Sequence, residues 1–175
     1  AGGEARESRE LEQTHLVLGY EGPSFCEVGF YPAQVFSTLY GGGMSSRLFQ
    51  EVREKRGLVY AIYSFASSAA DTGLVGVYAG TAQESAEEVL AIVRGELEDL
   101  AGAGPREDEL ARARAQLRAS LLMARESTSS RCEQLAQQIL VHNRAIPPEE
   151  LTARVEAVGA ADVAAIAARC AAAPP

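Results

Sequence analysis

Arg53 and Tyr60 are the side chains of this chain whose types and spacing best suit chemistry. They stand on either side of Gly57 in the segment SRLFQEVREKRGLVY, residues 46–60. A guanidinium offers several fixed hydrogen-bond donors and a phenol offers one more. The pair could therefore hold the backbone carbonyls of a peptide, or stabilise a carbonyl oxygen as it gains charge. The alternative interpretation is a surface arginine and a tyrosine in the core.

The other reactive side chains form weaker patterns. His15 and His142 are the only histidines, and neither has a carboxylate or cysteine at ligand spacing, so no metal site is predicted. His15 is expected to be a partly buried, hydrogen-bonded residue of a strand, and His142 to end a helix. A serine nucleophile is not indicated, because the chain has no GxSxG elbow.

Cysteines and acidic clusters receive structural interpretations. Cys26, Cys132 and Cys170 are far apart, which favours free buried thiols in a reducing compartment over disulfides or a zinc knuckle. Carboxylates in the first turn of a helix are stabilised by the helix dipole, and those on a polar helix face are stabilised by water. We therefore predict solvated faces for the acidic residues of three segments: 87–88, 96–99 and 107–109.

Three consecutive glycines, Gly41, Gly42 and Gly43, precede the Arg53 segment. One interpretation is a helix stop and a flexible corner. The other is a backbone that a bound peptide can approach closely, because no side chain stands in the way. Both remain open at this point.

Hydrophobic periodicity predicts the elements that must position these residues. A short helix should begin after a Ser45 or Ser46 cap and end at a left-handed Gly57. Its apolar face would hold Leu48, Phe49 and Val52, with Arg53 pointing away from the core. The remaining expectations are a strand over THLVLGYEG, a helix over residues 28–40, a hairpin of LVYAIYSFA and GLVGVYAG, and several helices from Gln83 onward.

Element order and composition predict one α+β domain over residues 1–175. Adjacent strands followed by clustered helices indicate a small mixed or antiparallel sheet with helices packed on one face, and disfavour a doubly wound parallel sheet. Residues 1–10 and 171–175 are expected to be poorly ordered. A formal charge of −8 without a basic block argues against nucleic acid or anionic lipid as a partner. No apolar run reaches the roughly 18 residues that a membrane span needs.

The sequence closely resembles the C-terminal homologous domain of the zinc peptidases typified by pitrilysin, insulin-degrading enzyme and mitochondrial processing peptidase. The bacterial processing-protease branch is the nearest match. The resemblance extends from about Leu11 to Arg169, and the F-x3-R-x6-Y spacing of Phe49, Arg53 and Tyr60 is its most specific part. It is carried by the runs GGGMSSRLFQEVREKRGLVYAIYSF, DTGLVGVYAGT and ELARARAQLRASLLMARES.

This resemblance implies one half of a two-half enzyme. The N-terminal half of such an enzyme carries an inverted H-x-x-E-H zinc motif and a further glutamate, while the second half has a similar fold without metal. The resemblance gives Arg53 and Tyr60 the role of holding the peptide near the scissile carbonyl, with Phe49 in a neighbouring pocket. It places the three glycines where the noncatalytic processing-peptidase subunit has a longer glycine-rich substrate loop.

The absence of H-x-x-E-H from the sequence leads us to expect a chain that is not catalytic alone and holds no cofactor. Zinc would belong to an N-terminal half of the same protein or to a separate catalytic subunit, with a peptide as substrate and a homodimer as a further option. The alternatives are a noncatalytic or structural assembly subunit, or an unrelated ligand-binding domain. A bacterial cytoplasmic location is expected, with the periplasm left open. The resemblance implies one more strand beyond Pro175, and a first residue other than methionine suggests a cut from a longer protein.

Overall fold

The computed structural model describes residues 12–172, which contain a three-stranded antiparallel sheet. The sheet order is β1-β3-β2, so that the last strand in sequence pairs with both others. The elements are β1 (Thr14–Gly22), α1 (Phe30–Gly41), a π helix (Phe49–Glu54), β2 (Val59–Ser68), β3 (Gly73–Thr81), α2 (Ala86–Ala103), α3 (Glu107–Met123), α4 (Thr128–His142), α5 (Pro148–Glu156) and α6 (Ala160–Ala172), with short 3-10 turns at Gln83–Ser85 and Ala124–Glu126.

One face of the sheet packs against the core. Alternate residues of each strand point to this face. Leu18, Val77 and Ile62 are buried on this face, and helices cover it. α1 packs on β2, and α6 packs on α2 and α1. The opposite face keeps large side chains partly exposed, among them Val17 and Tyr63. This arrangement confirms the predicted α+β fold with helices on one face, and shows that the sheet is antiparallel.

The predicted hairpin is confirmed, since β2 and β3 pair antiparallel on either side of the loop after Ser68. The predicted helix over residues 28–40 forms as α1, two residues shorter at its start and one longer at its end, with Pro32 in its first turn. Within the described residues, no helix is long and apolar enough to cross a membrane.

The prediction of buried thiols is wrong for two of the three cysteines. Cys26 and Cys132 are exposed, and only Cys170 is buried, on the face of α6 that packs against the core. Burial raises the pKa of the Cys170 thiol to about 11. At the termini, Ala171 and Ala172 complete α6, while residues 1–10 and 173–175 lie outside the described residues.

Candidate functional site at the Gly57 corner

The segment that carries Arg53 folds as a π helix. Lys55 N–H donates to the Gln50 carbonyl five residues back at 3.0 Å, which widens the turn by one residue relative to an α-helix. Leu48 and Val52 are fully buried and hold the helix against the core. The predicted serine cap is wrong for Ser46. Its hydroxyl lies 2.5 Å from the Gly43 carbonyl and donates to it, and no side chain of the described residues accepts an N–H at the start of this helix.

Gly57 turns the chain from the π helix into β2, as predicted. Its φ is +65°, in the left-handed region that residues with a Cβ rarely adopt. Gly57 N–H donates to the Arg53 carbonyl at 3.0 Å, and Leu58 N–H donates to the Val52 carbonyl at 3.0 Å. These bonds satisfy the last carbonyls of the helix and fix the angle at which the strand leaves.

Tyr60 stands in a β-bulge at the start of β2. Val59 pairs with Thr81 and Ala61 pairs with Gly80, which leaves Tyr60 as the extra residue of the strand. Because of the bulge, Val59 and Ile62 both face the core although three positions separate them. The Tyr60 side chain is 64% exposed, so its interpretation as a core tyrosine is wrong.

The Arg53 side chain is exposed and lies over the Phe49 ring, with 5.0 Å between the guanidinium carbon and the ring centroid. A cation over an aromatic face at this distance is attracted by the ring quadrupole, which restrains the arginine without using its N–H donors. In the described part of the chain, neither the Arg53 guanidinium nor the Tyr60 hydroxyl makes a hydrogen bond. Within that part of the chain it is the Phe49 ring, and not a hydrogen bond, that restrains Arg53.

The neighbouring cations behave differently. Glu51 pairs with Lys55 and, at 2.9 Å, with Arg56. Hydrogen bonds from these two side chains lower the pKa of the Glu51 carboxyl. Arg56 also donates to the Glu51 carbonyl at 2.7 Å. Lys55 and Arg56, which follow the π helix, thus share the Glu51 carboxylate, and Arg53 is not part of that network.

The glycine segment is explained in part by packing. A Cβ on Gly41 would lie 2.4 Å from Ser64 N, and one on Gly42 would lie 2.5 Å from Thr38 Cα, so no larger residue fits at either position without a shift. Gln116 donates from its side chain to the Gly42 carbonyl at 2.9 Å, which ties the segment to α3. Gly41 is buried, whereas Gly42 and Gly43 have exposed surface. A peptide contact at the three glycines stays a prediction.

A partly buried ionic cluster beside the π helix was missed by sequence reasoning. Arg47 directs its guanidinium at three carboxylates, those of Glu96, Asp99 and Glu109. Glu109 is buried, which corrects the prediction that it belongs to a solvated face. Burial raises its pKa, but hydrogen bonds from Arg47 and from the Arg106 backbone, together with both arginine charges, outweigh burial and leave it lowered. A glutamate three residues after Arg106, at the start of a helix, is the one signal available, because that spacing is typical of a capping box.

The histidines lie away from this corner. His15 is in β1 on the uncovered face, where its Nδ1 lies 2.8 Å from the Tyr78 hydroxyl. It is hydrogen-bonded as predicted but exposed, so the prediction of partial burial is wrong. His142 ends α4 as predicted. Over residues 12–172, no group of three or more His, Cys, Asp or Glu side chains could hold a metal ion.

Comparison with known families identifies the chain. The family model described as "Peptidase M16 inactive domain" matches residues 2–117. An uncharacterized zinc protease of Streptomyces coelicolor is 41% identical over 159 residues, which are 91% of this chain and 35% of that protein. An uncharacterized zinc protease of Rickettsia bellii is 38% identical over 163 residues, 93% of this chain and 39% of that protein. The chain thus spans less than two fifths of the length of these relatives.

Solved structures show the same fold. A peptidase M16 inactive domain from Pseudomonas fluorescens matches with a TM-score of 0.80 and 25% identity, covering 90% of this chain and 38% of that one. A conserved protein from Enterococcus faecalis matches with a TM-score of 0.81 and 28% identity, covering 92% of this chain and 38% of that one. On the strength of the family match and these relatives, the chain belongs to the peptidase M16 family, as an inactive domain of the kind found in its zinc proteases.

Proposed function

We propose that this chain is the substrate-holding half of a zinc metalloendopeptidase, in which Arg53 and Tyr60 hold the peptide at its scissile carbonyl. Zinc, bound by the other half of the protein or by a separate subunit, would activate the water that attacks this carbonyl. Phe49 and the exposed glycines, Gly42 and Gly43, would contact the peptide beside the scissile bond. Gly41 would keep the glycine segment close to β2.

The observation that carries the proposal is the state of the two side chains at the Gly57 corner. Arg53 and Tyr60 are exposed, and among the described residues no hydrogen bond occupies either group. Arg53 is restrained by its contact with the Phe49 ring. A donor held in place costs less reorganisation when charge develops on a carbonyl oxygen, and fixed donors are the main way enzymes stabilise such a transition state. The backbone irregularities beneath them agree with this role, because π turns and β-bulges are frequent at functional sites.

The test uses the full-length product of the gene, or the complex purified with it, and a fluorogenic peptide cleaved in a zinc-dependent manner. Tyr60→Phe and Arg53→Ala should each lower kcat/KM by more than about tenfold, a loss of roughly 1.4 kcal/mol in transition-state stabilisation. Tyr63→Phe is the matched control, because Tyr63 is an exposed tyrosine three residues further along the same strand. A smaller loss in both variants overturns the assigned roles.

The gene itself separates this proposal from a noncatalytic subunit. An H-x-x-E-H sequence upstream in the same reading frame supports a substrate-holding half. The same motif in a neighbouring gene supports a heterodimer in which this chain is the noncatalytic subunit. Its absence from both, combined with no zinc-dependent cleavage, supports an assembly role and counts against the proposal.

A further inference from the structure

We propose that Arg47 is a positioning residue, which fixes the π helix and so sets where Arg53 and Phe49 stand. This inference rests on the proposed function, because its effect is measured on peptide cleavage. Arg47 immediately precedes the buried Leu48 at the start of the segment, and its side chain is only 9% exposed. Its Nε donates to Glu109 Oε1 at 3.0 Å and its Nη2 donates to Glu109 Oε2 at 2.9 Å. This is the paired geometry in which a guanidinium and a carboxylate fix each other in orientation as well as distance.

The third nitrogen of the guanidinium, Nη1, donates to two further carboxylates. Arg47 Nη1 lies 2.5 Å from Asp99 and 3.4 Å from Glu96, both in the second half of α2. Glu109 lies in the first turn of α3. One side chain therefore joins the segment that begins the π helix to two different helices of the covering layer.

The acceptor side of this contact is itself fixed. Glu109 Oε2 also accepts the Arg106 backbone N–H at 3.0 Å, so that the carboxylate is held to the start of α3 independently of Arg47. Only 7% of the Glu109 side chain is exposed. A restrained carboxylate is a rigid reference point, because neither of its oxygens can turn without losing a bond.

Within the π helix, the Gln50 side chain donates to the Met44 carbonyl at 2.7 Å, which is a local contact six residues back and not a contact with α2 or α3. Leu48 and Val52 bury one face, and apolar contacts are non-directional, so they tolerate small slides and rotations of the helix. A buried fork of hydrogen bonds does not. Arg53 lies six residues after Arg47, stacked on Phe49 of the same helix. A slide or rotation of the helix would carry both residues with it, and misplacement of about 1 Å is enough to impair catalysis.

The alternative is that Arg47 only stabilises the fold, and a double-mutant cycle distinguishes the two. In the full-length protein, Arg47→Lys keeps the charge but loses the fork. If Arg47 acts through Arg53, this substitution should lower kcat/KM by about tenfold in the wild-type background, and by less than about threefold when Arg53→Ala is already present. Arg118→Lys is the matched control, because Arg118 pairs with Glu156 at 3.1 Å on the exposed surface. The control should leave kcat/KM unchanged in both backgrounds.

Equal loss in the two backgrounds, or no loss in either, overturns the inference. If the proposed function is wrong, the result is different: the Arg53→Ala variant alone then cleaves the peptide with the kcat/KM of the wild type. Thermal melts show whether each variant is folded. If Arg47→Lys does not fold, Asp99→Asn replaces it in the same cycle, because Asp99 is an exposed partner and its loss leaves the Glu109 fork in place. The expected loss is then about threefold, again only when Arg53 is present.

Discussion

Arg53 and Tyr60 each lie in an irregular stretch of backbone, and the left-handed Gly57 lies between the two stretches. Arg53 lies in a helical turn widened by one residue, and Tyr60 is the one residue of β2 without a partner in the ladder. Each irregularity adds a residue to an element whose buried side chains stay in place. The extra residues at the corner are thereby free to direct side chains toward solvent while Val52 and Val59 remain in the core.

A variant without the bulge tests whether the tyrosine must stand at the bulged position, because such a variant can still carry a tyrosine in the same strand. The variant has Tyr60 deleted and carries Ala61→Tyr, so that Val59 and Ile62 are two positions apart. We expect both to stay in the core, with the new tyrosine between them opposite Gly80. A regular ladder should fold with a stability change within about 1 kcal/mol. Cleavage of the fluorogenic peptide by the full-length variant should nevertheless fall at least about tenfold. Wild-type cleavage in a folded variant would show that the bulge has no role.

Gly57→Ala should destabilise the fold through backbone conformation alone. A Cβ at Gly57 would meet nothing within 4 Å, so the cost comes from the φ of +65° and should be about 1 kcal/mol. Gly95→Ala is the matched control, because a Cβ there also meets nothing within 4 Å, but Gly95 lies inside α2. Alanine should stabilise that helix by about 1 kcal/mol. Urea denaturation at pH 7 measures both, and a loss at Gly95 equal to that at Gly57 would contradict the assigned cause.

The sequence predicted the left-handed Gly57 at the end of the helix, but not the loss of its serine cap or its π geometry. Gly57 was recognisable because a glycine between a helix pattern and a strand pattern is typical of a left-handed helix end. The bulge was not recognisable, because Tyr60, Ala61, Ile62 and Tyr63 are all apolar and hide any change in alternation. The Glu109 contact lies 62 positions from Arg47, and a pairing at such separation depends on tertiary packing that periodicity does not encode. Family resemblance supplied the roles that we propose for Arg53 and Tyr60, which the types of the two residues alone left open.

The three thiols should differ sharply in reactivity. Cys26 and Cys132 are exposed, whereas Cys170 is 1% exposed and its pKa is raised to about 11 by burial. At pH 8 only about one Cys170 in a thousand would be a thiolate even if reagent reached it. Labelling of the native chain with a thiol reagent should therefore modify two cysteines rapidly and the third only when the chain unfolds. A chain with Cys26→Ser and Cys132→Ser should show the slow phase alone, and three equal rates would contradict the packing of α6.

Glu96→Gln should stabilise the protein at neutral pH and have little effect in acid. Burial raises the pKa of Glu96, and the attraction of Arg47 does not fully offset it because Glu51 and Asp99 are also close. A raised folded-state pKa means that ionisation destabilises the fold, so the free energy of unfolding falls as pH rises from the ordinary value of a glutamate through the raised one. An amide of the same shape removes this cost. We expect a gain of less than about 1 kcal/mol at pH 7, because Glu96 is only partly buried.

Glu109→Gln should change the stability in the opposite direction to Glu96→Gln, and the two variants are measured together. The lowered pKa of Glu109 means that its ionised form stabilises the fold, and this contribution is lost only as pH falls below the ordinary value. Its neutral variant should therefore be less stable than wild type at pH 7, by about 3 kcal/mol, because Arg47 loses its paired acceptor in a buried setting. Below pH 4 the difference should shrink. Thermal melts from pH 3 to pH 8 measure both variants, and changes of the same sign at pH 7 would show that Arg47 does not distinguish the two carboxylates.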